Sequence, residues 1–323
     1  MKEVNVVVWG LGPHAIKNIL PALESCTGVN LYGVCSRNAE IVTRYAAQMK
    51  CLGWNNSEHM LDDPKVDVVY LSTPIGLHAS QGRSVLLANK HLWCEKPLTE
   101  NLEQTMMLVN LSRERNVSLA EGFMYLYHPQ FFYLQEVLHS QMLGRIYNIT
   151  CRLGIPTLDR PGFRTDPQLG GGALLDVGSY PISAATSFFP KLNPEVLFTE
   201  IMLDTESPVD SRGRSILRYE AEVNVTLEWG INCSYRNEVD FWGSKGSLSS
   251  EYFFSKSANH IPRFRLLDRS GRESYKTCQP GNHFLAMLNV FRKFADSSVD
   301  AENERVMIIR RAQLMDKIKR ARI

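Results

Sequence analysis

The sequence predicts a mixed α/β chain: a doubly wound parallel sheet first, then an α+β domain built on a large, mostly antiparallel sheet. Three observations carry this. The chain opens on an almost unbroken apolar run, Val4–Trp9, as a strand buried on both faces requires. Strand and helix patterns then alternate with short connections to about residue 120, as parallel strands joined by crossover helices do. Beyond residue 122 polar–apolar alternation takes over, which suits antiparallel strands with one wet face.

In order, strands are expected at Val4–Trp9, 30–35, 66–71, His91–Cys94 and 117–120, with helices near 14–24, 39–49, 76–89 and 100–114. Pro13 at a first turn and Thr99 before Glu100 mark helix starts. Trp9 and Trp93 read as packing residues. Four further strands are expected at 146–153, 195–202, 221–229 and 232–241. Gly243-Ser244-Lys245-Gly246-Ser247 reads as a turn, and helices near 282–296 and 302–320 close the chain. The division expected is residues 1–122 as a dinucleotide-binding domain and 123–323 as a substrate-binding and oligomerisation domain.

Composition narrows the function. Of 323 residues, 44% are hydrophobic and 22% charged, enough to bury a core in each of two domains. A net charge of +2 without a dense basic run argues against nucleic acid as a partner. No apolar run approaches the ~20 residues that a membrane helix needs. No basic leader pattern precedes the first strand, so a secretory signal is not expected. The seven cysteines, Cys26, Cys35, Cys51, Cys94, Cys151, Cys233 and Cys278, form no Cys-x-x-Cys pair and no zinc-like spacing. Free thiols in a reducing cytoplasm, with no bound metal, is the reading.

The most specific local pattern is Gly10-Leu11-Gly12-Pro13-His14-Ala15, placed directly after the first strand and opening a helix. In that context it is a Rossmann dinucleotide fingerprint. Gly10 permits the tight turn, Gly12 lets a pyrophosphate approach the backbone, and Ala15 permits close helix–strand packing. The helix N-terminus offers free N–H groups and partial positive charge to the phosphates. The second strand ends in Ser36-Arg37 with no carboxylate. A 2′-hydroxyl lacks its usual acceptor there, and a 2′-phosphate finds a cation, so NADP(H) is favoured over NAD(H).

Further motifs point the same way. Glu95-Lys96-Pro97 follows the strand His91–Cys94, Ser72-Thr73-Pro74 follows the strand at 66–71 with His78 just beyond, and Gly171-Gly172-Ala173-Leu174-Leu175-Asp176-Val177-Gly178-Ser179-Tyr180 lies downstream. Together with the glycine turn, this set resembles the Gfo/Idh/MocA oxidoreductase family over nearly the whole chain. The resemblance implies that Lys96 lies at an active site and that Asp176 and Tyr180 join it. It adds Ser72, Thr73, Pro74, His78, Glu95 and Lys96 to the cofactor-contacting residues, and implies a homodimer or homotetramer built through the second domain's sheet, whose broad face of alternating apolar residues is expected to be buried by a partner. Tyr125 and His128 fall where the family's substrate pocket begins. Leu126 stands where relatives acting on aldoses and dihydrodiols often carry Arg. Arg164 is read either as a grip on a substrate hydroxyl or phosphate, or as a salt-bridge partner. Pro97 is expected to shape an unusual turn, with a cis peptide as one form.

The chemistry agrees with those roles. Hydride exchange at a carbinol carbon needs a partner for the hydroxyl proton, and Tyr180 can be that acid or base. Lys96 can favour the phenolate and polarise a carbonyl oxygen. Asp176 and Tyr180, four apart, share a face if their segment is helical. The expected function is an NAD(P)-dependent oxidoreductase on a sugar-like keto or hydroxyl carbon, foremost a ketoreductase on a deoxy or nucleotide-linked sugar. Dehydrogenation of an aldose, cyclitol or trans-dihydrodiol, or imine reduction, are alternatives within the enzyme class. A non-catalytic dinucleotide-binding sensor or scaffold is the alternative outside it.

Overall fold

The structure is a computed structural model that describes residues 3–157, 162–204, 207–220 and 223–321. The chain forms two compact units, one of residues 1–122 with 284–309, the other of 123–283 with 310–323.

The first unit holds six strands: β1 (Val4–Trp9), β2 (Val29–Cys35), β3 (Leu52–Trp54), β4 (Val68–Leu71), β5 (His91–Cys94) and β6 (Leu119–Glu121). All pair in parallel, in the order β3-β2-β1-β4-β5-β6. This is the doubly wound order whose direction reverses between β1 and β4, where ligands of such sheets bind. Val6, Val7 and Val8 are wholly buried, as a central strand requires. The helical segment after β1 runs through a π turn, Ala15–Ile19, into α1 (Leu20–Glu24). Then come α2 (Ala39–Gln48), α3 (Ser57–Asp62), α4 (Ile75–Leu87) and α5 (Leu102–Glu114). Asn38, Asn56 and Asn101 cap α2, α3 and α5 through their side-chain oxygens. Asn101, rather than the expected Thr99 region, is thus the cap of α5. β3 and α3 were not expected, because three and six residues are too short to show a period.

The registers set where the strands end. Trp9 lies opposite both Cys35 and Leu71, Leu71 opposite Cys94, and Cys94 opposite Glu121. The strands therefore end level, and the residues just beyond them, Gly10, Ser36, Ser72 and Glu95, line up along one edge.

In the second unit, α6 (Pro129–His139) and α7 (Ser179–Phe188) accompany one sheet. Its strands are β7 (Ile146–Ile155), β8 (Glu195–Leu203), β9 (Asp210–Tyr219), β10 (Val223–Ile231), β11 (Arg236–Gly243), β12 (Gly246–Glu251), β13 (Arg263–Asp268) and β14 (Glu273–Thr277). The order is β14-β13-β12-β11-β7-β10-β9-β8. Every pairing is antiparallel except β7 with β10. The strand expected at 221–229 is seen over Val223–Ile231, and residues 221 and 222 lie outside those described. β9, β13 and β14 were not anticipated. Leu174, Val177, Ile182, Phe188, Leu227, Val239 and Phe241 belong to the core formed on the helix side of the sheet.

Two expectations are corrected. The closing helices α8 (His283–Phe294) and α9 (Ser298–Arg320) do not simply belong to the second domain, because residues 284–309 pack with the first unit. Phe291 sits 5.9 Å from Trp93, Arg292 donates to the Gly28 carbonyl at 3.1 Å, and Arg305 donates to Ser112 Oγ and the Val117 carbonyl. An amphipathic period reveals a buried face but not which sheet buries it. The second correction concerns the other face of the eight-stranded sheet, expected to be apolar in alternation. Paired registers instead align Glu238, Arg152, Glu228, Arg214 and Glu200 across five strands. Charge alternates along this row, and Arg152 pairs with both Glu228 and Glu238. Opposite charges directly across strands support the pairing.

All seven cysteines are free thiols. Among the described residues no helix is long and apolar enough to cross a membrane, and no group of His, Cys, Asp and Glu has a metal-holding arrangement.

Candidate active site

The glycine bend lies on the level edge of the first sheet. Gly10 has φ of 108°, and a Cβ there would stand 2.4 Å from the Ser72 carbonyl oxygen. Glycine is required by backbone conformation and by the Ser72-Thr73 backbone passing over it. Gly12 differs: a Cβ there would meet no protein atom within 4 Å. The fold leaves open space in front of Gly12, at a helix N-terminus, which fits a dinucleotide phosphate. Leu11 is buried, and Pro13 starts the helix, on whose inner side Ala15 is wholly buried. A clean separation of roles is expected. Gly10→Ala should destabilise the protein by about 3 kcal/mol or more. Gly12→Ala should cost no more than about 1 kcal/mol, the difference between cap residues, yet weaken NADPH binding at least about tenfold. Thermal unfolding and a fluorescence titration of the cofactor check both, and unaltered affinity in Gly12→Ala would contradict the cradle.

At the end of β2, Ser36 is half-buried and Arg37 exposed. Among the described residues no carboxylate pairs with Arg37, so its guanidinium is available to an anion. At the end of β4, Thr73 donates to Gln81 Oε1 at 2.6 Å, and Pro74 precedes α4.

At the end of β5 the motif becomes a network. His14 Nε2 lies 3.0 Å from Glu95 Oε1, which also accepts the Tyr70 hydroxyl at 2.6 Å. His14 Nδ1 meets Asn18 at 3.2 Å, and its ring stands edge-on to Phe284. Burial alone would raise the Glu95 carboxyl. His14, the Tyr70 hydroxyl and Lys96 outweigh it and hold the group at about 2. Glu95 is thus a fixed carboxylate that ties the glycine helix to the Lys96 turn. The Lys96–Pro97 peptide is cis, and Lys96 is half-buried.

His78, expected to touch the cofactor, is corrected. It is 1% exposed, with Nδ1 3.1 Å from the Pro97 carbonyl and Nε2 2.8 Å from the Thr73 carbonyl. It joins the loops after β4 and β5 from behind, and burial lowers its pKa despite those oxygens.

In the second unit, Asp176 and Tyr180 do lie on one helical stretch, a π turn over Leu174–Gly178 that runs into α7. π turns recur at functional sites. Arg164 is a salt-bridge partner: its Nε donates to Asp176 Oδ2 at 2.5 Å. Gly171 makes this possible, since a Cβ there would strike the carbonyls of Phe163, Arg164 and Asp166 within 2.8 Å. Tyr180 is half-buried, with its hydroxyl 3.7 Å from Met124 Sδ and its ring against Phe123, Tyr125 and Phe254.

Tyr125 and His128, expected to touch substrate, are both wholly buried. Tyr125 donates to Ser183 Oγ at 3.0 Å beneath Tyr180, and His128 caps α6 by accepting from the Gln130 amide. Burial, with Lys256 and His260 nearby, lowers the His128 imidazole to about 4. Aromatic and His side chains before a Pro-started helix look alike whether they face a ligand or a core. Sequence reasoning missed Tyr70 and Asp210. The latter accepts from the Leu174 amide at 2.7 Å and holds the start of the π turn. Nothing in the local pattern of either residue marks it.

Residues 4–123 match the family model described as an oxidoreductase family with an NAD-binding Rossmann fold, and residues 131–249 match the GFO/IDH/MocA C-terminal domain. The chain belongs to the Gfo/Idh/MocA oxidoreductase family. Among its Gfo/Idh/MocA relatives is a dTDP-3,4-didehydro-2,6-dideoxy-alpha-D-glucose 3-reductase from Saccharopolyspora spinosa, 34% identical over 271 residues, 84% of this chain and 81% of that one. The enzyme of the same description from Actinomadura kijaniata is 30% identical over 98% of this chain and 95% of its own. A 3-ketoreductase from Actinomadura kijaniata, solved with NADP and TDP-benzene, superposes with a TM-score of 0.93 at 28% identity, covering 99% of this chain and 98% of that one. As a Gfo/Idh/MocA member this chain is an oxidoreductase of sugar-type carbonyl and hydroxyl groups.

Proposed function

We propose that this protein is an NADPH-dependent ketoreductase acting on a deoxy or nucleotide-linked keto-sugar, with Lys96, Tyr180 and Asp176 as its catalytic residues. The observation that carries the reading is the match in framework to ketoreductases along almost the whole chain. Solved forms of the Actinomadura kijaniata enzyme include one with a tyrosine replaced by phenylalanine and others with a lysine replaced. Those two residues are separated in that chain by the same number of positions as Lys96 and Tyr180 here.

Gly10–Ala15, Ser36, Arg37 and Ser72–Pro74 would hold NADPH, which would supply the hydride. Lys96 draws electron density onto the carbonyl oxygen, so that negative charge building there meets a cation. Tyr180 donates its hydroxyl proton to that oxygen, which completes the carbinol. Asp176, held by Arg164, fixes the π turn that presents Tyr180, and Glu95 and His78 brace the Lys96 turn. NADPH consumption with nucleotide-linked and free keto-sugars tests the reading. Turnover with xylose or a trans-dihydrodiol alone would favour dehydrogenation, and cofactor binding without turnover of any substrate would favour a sensor.

Arg37 and Ser36 support the choice of NADP. The preference for NADPH over NADH should fall in Arg37→Ala by about 1.5–3 kcal/mol, as for a charge-assisted hydrogen bond. Paired titrations measure this, and an untouched ratio would remove the assignment.

We place the enzyme in the cytoplasm as a homodimer or homotetramer assembled on the outer face of the eight-stranded sheet. Besides the charged row, the strands of this sheet carry Trp242, 59% exposed, with Tyr147 against it. Trp242→Glu should shift sedimentation towards the monomer, and an unchanged profile would argue for another interface.

A further inference from the structure

The second unit holds a lysine, Lys256, that the catalytic scheme does not use. Asn237, buried on β11, gathers the turn after β12: its Oδ1 accepts from the Phe254 amide at 2.7 Å, and its Nδ2 donates to the Ser255 carbonyl at 2.8 Å. Lys256 comes next, half-buried, with its ammonium 2.7 Å from the Phe253 carbonyl. Among the described residues no carboxylate pairs with it. A half-buried ammonium whose protein contact is a neutral carbonyl keeps donors for an anionic ligand.

Its neighbours reinforce this. Burial lowers Lys256 to about 7, and burial first, with the Lys256 charge second, lowers His128 and His260. Cys278 is the other titratable group acting on it. Of the three basic side chains in this region, Lys256 is the one that can meet an anion near neutral pH. Alongside lies an aromatic row: the Tyr252 ring is 4.9 Å from His260 and 6.0 Å from Tyr235, and both tyrosines are more than 40% exposed. Exposed rings of this kind offer a face to a planar base. The turn also adjoins the reacting end of the unit, since the ring of Phe254 lies 5.5 Å from that of Tyr180.

We propose that the Lys256 turn is the subsite for the diphosphate of a nucleotide-linked substrate, with Tyr252 and His260 forming the platform for its base. This rests on the ketoreductase reading and narrows it to nucleoside-diphosphate sugars. Calorimetric titration of the NADP-loaded protein with dTDP and with inorganic pyrophosphate tests it. Lys256→Gln should weaken both at least about tenfold, as loss of a charge-assisted contact does, and the KM for a nucleotide-linked keto-sugar should rise with it. Lys256→Arg, which keeps the charge, should recover most of the dTDP affinity. Tyr252→Ala should weaken dTDP several-fold and leave pyrophosphate unaffected. Equal dTDP affinity in the parent and Lys256→Gln, or no dTDP binding by the parent, would overturn the subsite. Failure of the ketoreductase reading shows separately, as no NADPH consumption with any keto-sugar while dTDP binding still responds to Lys256.

Discussion

Lys96→Met should lower kcat/KM for keto-sugar reduction by about 100- to 1,000-fold, the range seen when one donor to a developing oxyanion is removed. The loss should fall on kcat, because the contact strengthens as charge moves onto the oxygen. Methionine keeps the unbranched, flexible stem and removes the ammonium with its charge and donors. The half-buried setting of Lys96 beside Glu95 leaves the fold little dependent on it, so the unfolding midpoint should change little. NADPH affinity, measured separately, should stay within a few-fold, since the phosphates rest on the glycine bend. A variant with full turnover would remove Lys96 from the chemistry.

Tyr180→Phe should cost about 100- to 10,000-fold in kcat, the span of general acid–base assistance. The ring packs against Phe123, Tyr125 and Phe254, and phenylalanine preserves those contacts. The hydroxyl donates to Met124 Sδ at 3.7 Å, a weak acceptor. Removing it therefore takes away a proton donor and little stability. Steady-state kinetics with unfolding curves separate the two effects, and a loss confined to stability would make Tyr180 a packing residue.

The dinucleotide half was legible because its signals are local. An apolar strand, two glycines and a helix start within one dozen residues specify the bend, and level strand ends bring Ser36, Ser72 and Glu95 to the same edge. The pairing of Arg164 with Asp176 was one of two readings, and only the carbonyl-crowded Gly171 turn decided it. Tyr125, His128 and His78 mark the limit of a sequence pattern. A residue type and a motif position say that a side chain is near a site, not whether its polar atoms face a ligand or are engaged by the protein behind it. His78 reaches carbonyls at two separate loops, a fact of tertiary structure with no sequence period. The same holds for the assignment of 284–309 to the first unit, where Phe291 and Arg292 found partners some 200 or more residues away.

The most direct test of the central claim is isotopic. NADPH deuterated at the transferring position of its nicotinamide is incubated with the protein and a nucleotide-linked keto-sugar, and the product is read by mass and NMR. One deuterium is expected on the new carbinol carbon, none lost to water, with label transfer falling alongside kcat in Lys96→Met and Tyr180→Phe. No label on that carbon, or equal labelling rates in parent and both variants, would contradict hydride transfer assisted by these two side chains.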